Sequence, residues 1–67
     1  MNELTEWIDI LKNANEEIKR VSILVNGSFK PYRGLVEKVT MFMVVLVNEY
    51  SREYVVLKDI KAIRVYD

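Results

Sequence analysis

The sequence of 67 residues contains no cysteine, no histidine and no glutamine. Without cysteine there is no disulfide, no thiolate nucleophile and no sulfur ligand for a metal ion. Without histidine the chain lacks the commonest general base and the commonest metal ligand. Catalysis would depend on acidic, Lys, Ser or Tyr side chains, and none of them shows a nucleophile–base spacing. We therefore predict that the protein is not an enzyme and uses no cofactor or metal ion.

Glycine, proline and long apolar runs are scarce as well. The chain has 2 Gly and 1 Pro, so no glycine-rich phosphate loop can be formed. The longest apolar run, residues 41–47, is too short to span a bilayer, and no basic segment with a following apolar core marks a signal peptide. We expect a cytoplasmic protein without a membrane partner. The absence of Cys and Gln beside abundant Lys, Glu, Val and Ile is typical of thermophile proteins.

The charge is balanced overall but divided along the chain. Residues 1–18 hold five acidic side chains and one lysine, a net charge of −4, whereas residues 19–67 hold nine basic and five acidic ones, a net charge of +4. An anionic partner would be repelled by the first part and attracted by the second. A chain this short is expected to be a single domain, 1–67. Because such a domain buries only about 60% of its unfolded surface, self-association is a common way to add burial.

The spacing of apolar residues predicts one helix followed by five strands. Six apolar residues recur every three or four positions, which predicts a helix over 2–19 with Asn2 or Thr5 as its N-cap and Trp7 in the core. From Arg20 the period changes to two, and strands are predicted at 21–25, 35–39, 40–47, 54–57 and 60–66. The third of these is apolar on both faces and should be covered on both. The predicted fold is mainly β: an N-terminal helix on a small five-stranded, strongly bent antiparallel SH3-like barrel over 20–67.

Two segments are candidates for contacts with partners. The connection within VNGSFKPYRG, residues 25–34, carries aromatic and basic side chains around the only proline: Phe29, Lys30, Tyr32 and Arg33. Such interleaving suits single-stranded nucleic acid, in which bases stack on aromatic rings and cations follow the phosphates. The last two strands are apolar enough to pair with another chain. The candidate interface residues are Tyr54, Val55, Val56, Leu57, Ile60, Ile63 and Val65.

The order of motifs from Val21 onward resembles the Sm-like family, closest to its Hfq branch. The residues that carry the resemblance are VSI-LVNG, then Gly34-x-Val36-Glu37, then Phe42-x-Val44-x-Leu46-x-Asn48, with Ile60-Lys61-Ala62-Ile63 in the position of the closing strand. The resemblance implies a ring of six or seven copies, closed by the fourth strand of one copy pairing with the fifth of the next. It also implies binding of single-stranded, uridine- or adenine-rich RNA on the faces of that ring.

The resemblance implies three RNA surfaces, and the sequence departs from the family at each. Phe42 matches the stacking aromatic of the pore site, and Lys58 is its candidate cation. Three positions differ from the family: Thr40 stands in place of an Asp, Met41 in place of a Gln, and Val44 in place of the base-reading Asn of Sm proteins. The rim arginines are reduced to Lys19 and Arg20, and the aromatic of the opposite face is missing or becomes Ile23. Two hypotheses remain open: an RNA-binding ring, and an Sm-fold scaffold that binds protein and not RNA.

Overall fold

The computed structural model describes residues 3–67 and contains one helix and five antiparallel strands. The elements are α1 (Glu3–Glu16), β1 (Arg20–Val25), β2 (Tyr32–Val39), β3 (Met43–Val47), β4 (Arg52–Val56) and β5 (Ile60–Val65), with a 3₁₀ turn at Leu57–Asp59. The fold predicted from the sequence is confirmed. No helix in the described part of the chain is long and apolar enough to cross a membrane.

The sheet must bend strongly because of how its strands are connected. Its order is β4-β3-β2-β1-β5, so β4 and β5 lie at opposite edges although only the turn Leu57–Asp59 joins them. In a flat sheet these edges would be about 19 Å apart, since neighbouring strands lie about 4.8 Å apart. A three-residue 3₁₀ turn advances only about 2 Å per residue. The ladder is irregular between Leu24 and Val25 and between Val36 and Lys38, and such bulges increase bending and twist.

The core lies on the inner side of this bent sheet, under the helix. Helix residues Leu11 and Ala14 are buried there with Leu57 of the 3₁₀ turn and one set of alternating strand side chains: Val21, Ile23, Val36, Val44, Leu46, Val55 and Ile60. Trp7 is half-buried and packs against this cluster. The side-chain amide of Asn15 donates a hydrogen bond to the carbonyl of Val36 at 2.6 Å, which ties α1 to β2.

The helix is shorter than predicted. It ends at Glu16 and not at residue 19, because the chain leaves it through a Schellman turn. The amide of Lys19 donates to the carbonyl of Ala14 and that of Ile18 to the carbonyl of Asn15, at 2.9 and 3.3 Å. Ile18 takes the left-handed position of this turn, with a φ of 55°. At the other end, Thr5 lies inside the helix and is not its cap, and Asn2 lies outside the described residues.

Two strand boundaries also differ from the prediction. β2 begins at Tyr32 and not at residue 35, because residues 32–34 pair with residues 21–23 of β1 and so extend the ladder. β3 begins at Met43, because the Thr40 hydroxyl accepts hydrogen bonds from the amides of Phe42 and Met43 at 3.1 and 3.0 Å and forms a turn. Residues 41 and 42 are therefore 74% and 75% exposed, and their expected burial on both faces of a strand is wrong.

Smaller differences occur at the last two strands. β4 starts at Arg52, which the sequence placed in the preceding turn, and ends at Val56, because Leu57 enters the 3₁₀ turn. β5 ends at Val65, one residue before the predicted end. The amide of Leu57 donates to the carbonyl of Phe42 at 2.9 Å, and the amide of Asn26 to that of Asp59 at 2.8 Å. The turn between the two strands is thus held from both sides.

Candidate nucleic-acid interface

The face of the sheet turned away from the core carries a row of basic side chains. We name this the outer face; it includes the residues that alternate with the core positions of β1, β2 and β5. Ser22 pairs with Arg33 on one side and with Arg64 on the other, so the three residues form a row across three strands. Side chains in directly opposite positions start about 5 Å apart. Two guanidinium groups thus flank one hydroxyl.

Neither of these arginines has a counter-ion within residues 3–67. The ion pairs in the described part of the chain are Lys19–Glu17, Lys19–Asp67 and Arg52–Glu37. Arg33 and Arg64 are both exposed to solvent. The two arginines lie two strand spacings apart, about 10 Å, and at this distance their like charges repel each other weakly. The row is therefore suited to a bound anion, which would remove the repulsion.

A groove of about 430 Å³ runs along this row. Its lining consists of Ser22, Leu24, Phe29, Pro31, Arg33, Ala62, Ile63, Arg64 and Tyr66. We name it the first groove. Phe29 projects fully into solvent from the loop between β1 and β2, and Tyr66 is 40% exposed. The loop is shaped by Gly27, whose φ is 81°, and by a hydrogen bond from the Ser28 hydroxyl to the Lys30 carbonyl at 3.0 Å. A base can stack on an exposed ring here while its phosphate meets the arginines.

The residues predicted in the loop separate into two groups. Phe29 and Arg33 line the first groove, and Lys30 is exposed beside it. Tyr32 and Arg33 do not lie in a connection, because both belong to β2. Tyr32 pairs with Ile23 and its half-buried side chain packs against the core. The structure thus brings two of the four predicted residues into one groove, whereas Tyr32 is positioned for packing.

The predicted pore residues do come together, on a different surface. A smaller groove of about 310 Å³ is lined by Leu4, Met41, Phe42, Val56, Leu57 and Lys58. Phe42 is 75% exposed and so is available for stacking. Thr40 supplies the acceptor oxygen that shapes the turn, which a short acidic side chain can do equally well. Val44, however, is fully buried, so no base can be read at that position.

The predicted rim cations are divided between two surroundings. Lys19 donates to Asp67 at 2.9 Å and to Glu17 at 3.1 Å. Its hydrogen bond to Asp67 is the main reason why the pKa of Lys19 is raised, and the same bond lowers the pKa of Asp67. The charge of Lys19 is therefore compensated. Arg20 belongs to the outer face, where it lies opposite Leu35.

The candidate interface residues are likewise split by burial. The side chains of Val55, Leu57 and Ile60 are 3%, 1% and 6% exposed and belong to the core of the chain itself. Tyr54, Val56, Ile63 and Val65 remain at least partly accessible on β4 and β5. Each of these strands lacks a neighbour on one side within residues 3–67. An interface here would use backbone hydrogen bonds and the accessible side chains.

Sequence reasoning missed Ser22, Arg64 and Tyr66 as site residues. The sequence placed Arg64 in the last predicted strand, but the pairing of β5 with β1 was needed to place it beside Ser22. No metal site emerges, since no three His, Cys, Asp or Glu side chains among residues 3–67 come together in a way that could hold an ion.

No protein-family model matches the sequence, and no curated protein matches it. Among solved structures, the chain is similar to a crystal structure of "the pleiotropic translational regulator, Hfq". The two share 18% sequence identity with a TM-score of 0.79, and the match covers 98% of this chain and 97% of that one. At this identity the likeness concerns the fold. The chain therefore has the Sm-like fold in the form that Hfq has.

Proposed function

We propose that the protein forms an Sm-like ring and binds single-stranded RNA on its outer face, with a phosphate between Arg33 and Arg64 and a base on Phe29. The observation that carries the proposal is the register of Ser22 with both arginines, neither of which has a counter-ion within residues 3–67. Planar guanidinium groups are well suited to phosphate. Stacking on an aromatic ring is tolerant of sequence, because every base has a π-face.

The distribution of charge supports this face over the other. The helix lies on the core side of the sheet and turns its acidic side chains to solvent, including Glu3, Glu6, Asp9 and Glu16. In a ring these charges would be repeated in every copy and would repel phosphates from the surface around Phe42. The outer face is positively charged instead, because it carries Arg20, Arg33 and Arg64. RNA is therefore expected on the outer face first and at the Phe42 groove second.

The two edges of the sheet support the ring. β4 and β5 each leave a row of backbone groups without a partner in the described chain, and both carry exposed apolar side chains such as Tyr54 and Val65. Such edges favour pairing with another copy. Pairing β4 of one copy with β5 of the next would also add burial to a domain with a small core.

A protein-binding scaffold is the second candidate function. The observation that favours it is the loss of base-reading groups at the pore, where the position of the Sm asparagine is the buried Val44. Compensation of Lys19 by Glu17 and Asp67 also weakens the rim as an RNA surface. This alternative predicts that the ring forms and that neither oligo-U nor oligo-A binds it, even at low salt.

Light scattering and RNA titrations test the proposal. We expect an oligomer at micromolar concentration and binding of short oligo-A or oligo-U that weakens with salt. The double variant Arg33→Gln/Arg64→Gln should bind more weakly, and its log–log salt slope should fall by about 0.7 for each phosphate contact removed. Lys12→Gln is the matched control, because it removes an exposed cation from the helix. An equal loss in both variants would contradict the assignment, and a monomer would contradict the ring.

The choice of face is tested by two aromatic variants. Phe29→Ala should weaken RNA binding more than Phe42→Ala, since only Phe29 adjoins the arginine row. Both rings are largely exposed, so neither change should disturb the fold, which circular dichroism would verify. The opposite ranking would move the site to the groove around Phe42 and Lys58.

A further inference from the structure

We propose that Asn26 is a site of spontaneous modification, at which the side-chain amide is lost as ammonia and a carboxylate takes its place. The inference depends neither on RNA binding nor on the ring. Asn26 and Gly27 form the turn after β1, and both residues are exposed. A glycine that follows an asparagine leaves its backbone nitrogen open to the asparagine side chain, because it carries no Cβ. Both reacting groups of this pair are accessible in the structure.

The reaction uses only water and hydroxide. Hydroxide removes the proton from the backbone nitrogen of Gly27, and this nitrogen bonds to the side-chain carbonyl carbon of Asn26. The bond from that carbon to the side-chain nitrogen breaks, and the nitrogen leaves as ammonia after taking a proton from water. Water then adds to either carbonyl carbon of the cyclic imide, and the ring opens. The product is an aspartate, or an isoaspartate whose main chain runs through the side-chain carbons and is longer by an atom.

The nitrogen of Gly27 is not engaged in the fold. Its N–H donates no hydrogen bond within residues 3–67, although the amides of both neighbours donate one. The amide of Asn26 donates to the carbonyl of Asp59 at 2.8 Å. That of Ser28 donates to the carbonyl of Val25 at 3.3 Å. A Cβ atom built on Gly27 would meet nothing within 4 Å, so no neighbouring group covers this side of the turn. The attacking nitrogen can therefore lose its proton without the loss of a hydrogen bond.

The other asparagines of the described chain are placed differently. The side chain of Asn15 donates to the carbonyl of Val36 at 2.6 Å, and that of Asn48 accepts from two backbone amides at 2.9 and 3.0 Å. Asn13 lies inside α1, where the following amide is already used by the helix. None of these three precedes a glycine. The side chain of Asn26, in contrast, makes no hydrogen bond within residues 3–67 and can rotate toward the nitrogen of the next residue.

The product changes both the charge and the length of the turn. A carboxylate at position 26 would lie beside Asp59, since the two residues already share a backbone hydrogen bond. Both positions are exposed, so their repulsion is weakened by salt. An isoaspartate acts more strongly, because the extra main-chain atom lies between Val25 and Ser28, whose hydrogen bond closes the turn. Since the ammonia is not recovered, the change accumulates with the age of each molecule.

Incubation of the purified chain at neutral and mildly alkaline pH tests the site. Peptide mass spectrometry should show that the amide at position 26 is lost before those at positions 13, 15 and 48, and that the loss is faster at the higher pH. Asn26→Gln should abolish this early release of ammonia, because attack on the longer side chain must close a larger ring. Asn13→Gln is the matched control and should leave the release unchanged, since it makes the same change on an exposed residue of α1.

Two outcomes would overturn the assignment of the site. The first is an earlier loss of the amide at any of the other three positions. The second is an intact amide at position 26 when a free peptide of residues 23–30 has lost nearly all of its own, because the turn would then protect the asparagine.

The effect on the fold is tested separately. The aspartate and isoaspartate forms of the aged chain are separated by chromatography and unfolded in urea beside Asn26→Asp. We expect the isoaspartate form to unfold at a lower urea concentration than Asn26→Asp, which carries the charge on an unaltered main chain. Equal midpoints would refute the role given to the length of the turn, while the modification itself would stand. Neither result uses RNA, so a failure of the proposed function would be distinguished from a failure of this inference.

Discussion

Replacing Gly34 with alanine should damage the sheet between β2 and β3. A Cβ atom at this position would lie 2.6 Å from the carbonyl oxygen of Val47, 3.0 Å from its carbonyl carbon and 3.3 Å from its nitrogen. All three atoms are backbone atoms of the neighbouring strand, so no side-chain rotation can make room. The φ of 158° is also one that residues with a side chain rarely adopt, so the backbone conformation adds to the close contact as a reason for glycine here.

The expected loss of stability follows from the separation of β2 and β3 that an added methyl group would require. Forcing one extra methyl group into a tightly packed place costs about 1–3 kcal/mol. If β2 and β3 separate, ladder hydrogen bonds near residue 34 are also weakened, each at about 1 kcal/mol. The smaller entropy of an unfolded chain with alanine returns less than about 1 kcal/mol. We expect a net loss of about 3 kcal/mol, against a total stability of about 3–10 kcal/mol for a domain of this length.

Urea unfolding followed by circular dichroism measures this loss, and Gly27→Ala is the matched control. At Gly27 a Cβ would meet no atom within 4 Å, but the φ of 81° makes alanine strained by about 1–2 kcal/mol. Both variants should be compared at several protein concentrations, because association would stabilise the folded chain. The reasoning is refuted if Gly34→Ala is as stable as Gly27→Ala or more stable.

Three further predictions concern the ends of elements. Ile18→Gly should raise the free energy of unfolding by about 1 kcal/mol, because the left-handed φ of 55° strains a β-branched residue; unchanged or lower stability in urea would argue against such strain. Thr40→Val should cost about 1 kcal/mol by removing the acceptor of two backbone hydrogen bonds, while Thr40→Asp, which keeps an acceptor, should retain stability in the same assay. Because its pKa is lowered in the folded chain, Asp67 should stabilise the fold above its ordinary pKa of 3.8 and cease to do so as the pH falls through the folded value. An NMR titration should show that Lys19→Met returns the pKa of Asp67 to its ordinary value, and no change in that variant would contradict the pairing.

The sequence predicted local structure well where a single hydrophobic period extended along the whole element. The period of two from Arg20 gave β1 correctly to its end at Val25. The start of β2 was missed because Pro31 and Gly34 are typical of connections, whereas Gly34 serves a close contact between strands. The start of β3 was missed because its apolar run continues through a turn that the Thr40 hydroxyl creates. Apolar character alone does not distinguish a strand from an exposed turn.

The candidate site was predictable only in part, since its residues come from distant segments. Phe29 and Arg33 were found because they lie close together in the sequence. Arg64 joins them through the pairing of β1 with β5, in which Ser22 meets a residue 42 positions further along the chain. Nothing in the local pattern of either strand gives that register. The hydrogen bond from the Asn48 side chain to the carbonyl of Arg33 likewise joins residues 15 positions apart.

The short turn at Leu57–Asp59 has a consequence for symmetry. It joins the two edges of the sheet and is fixed by hydrogen bonds to Phe42 and Asn26, so the angle between β4 and β5 is set within one copy. In the proposed ring, that angle determines how far each copy is rotated from the last: about 60° in a hexamer and about 51° in a heptamer. The number of copies in the proposed ring would then depend on the conformation of the three residues Leu57–Asp59.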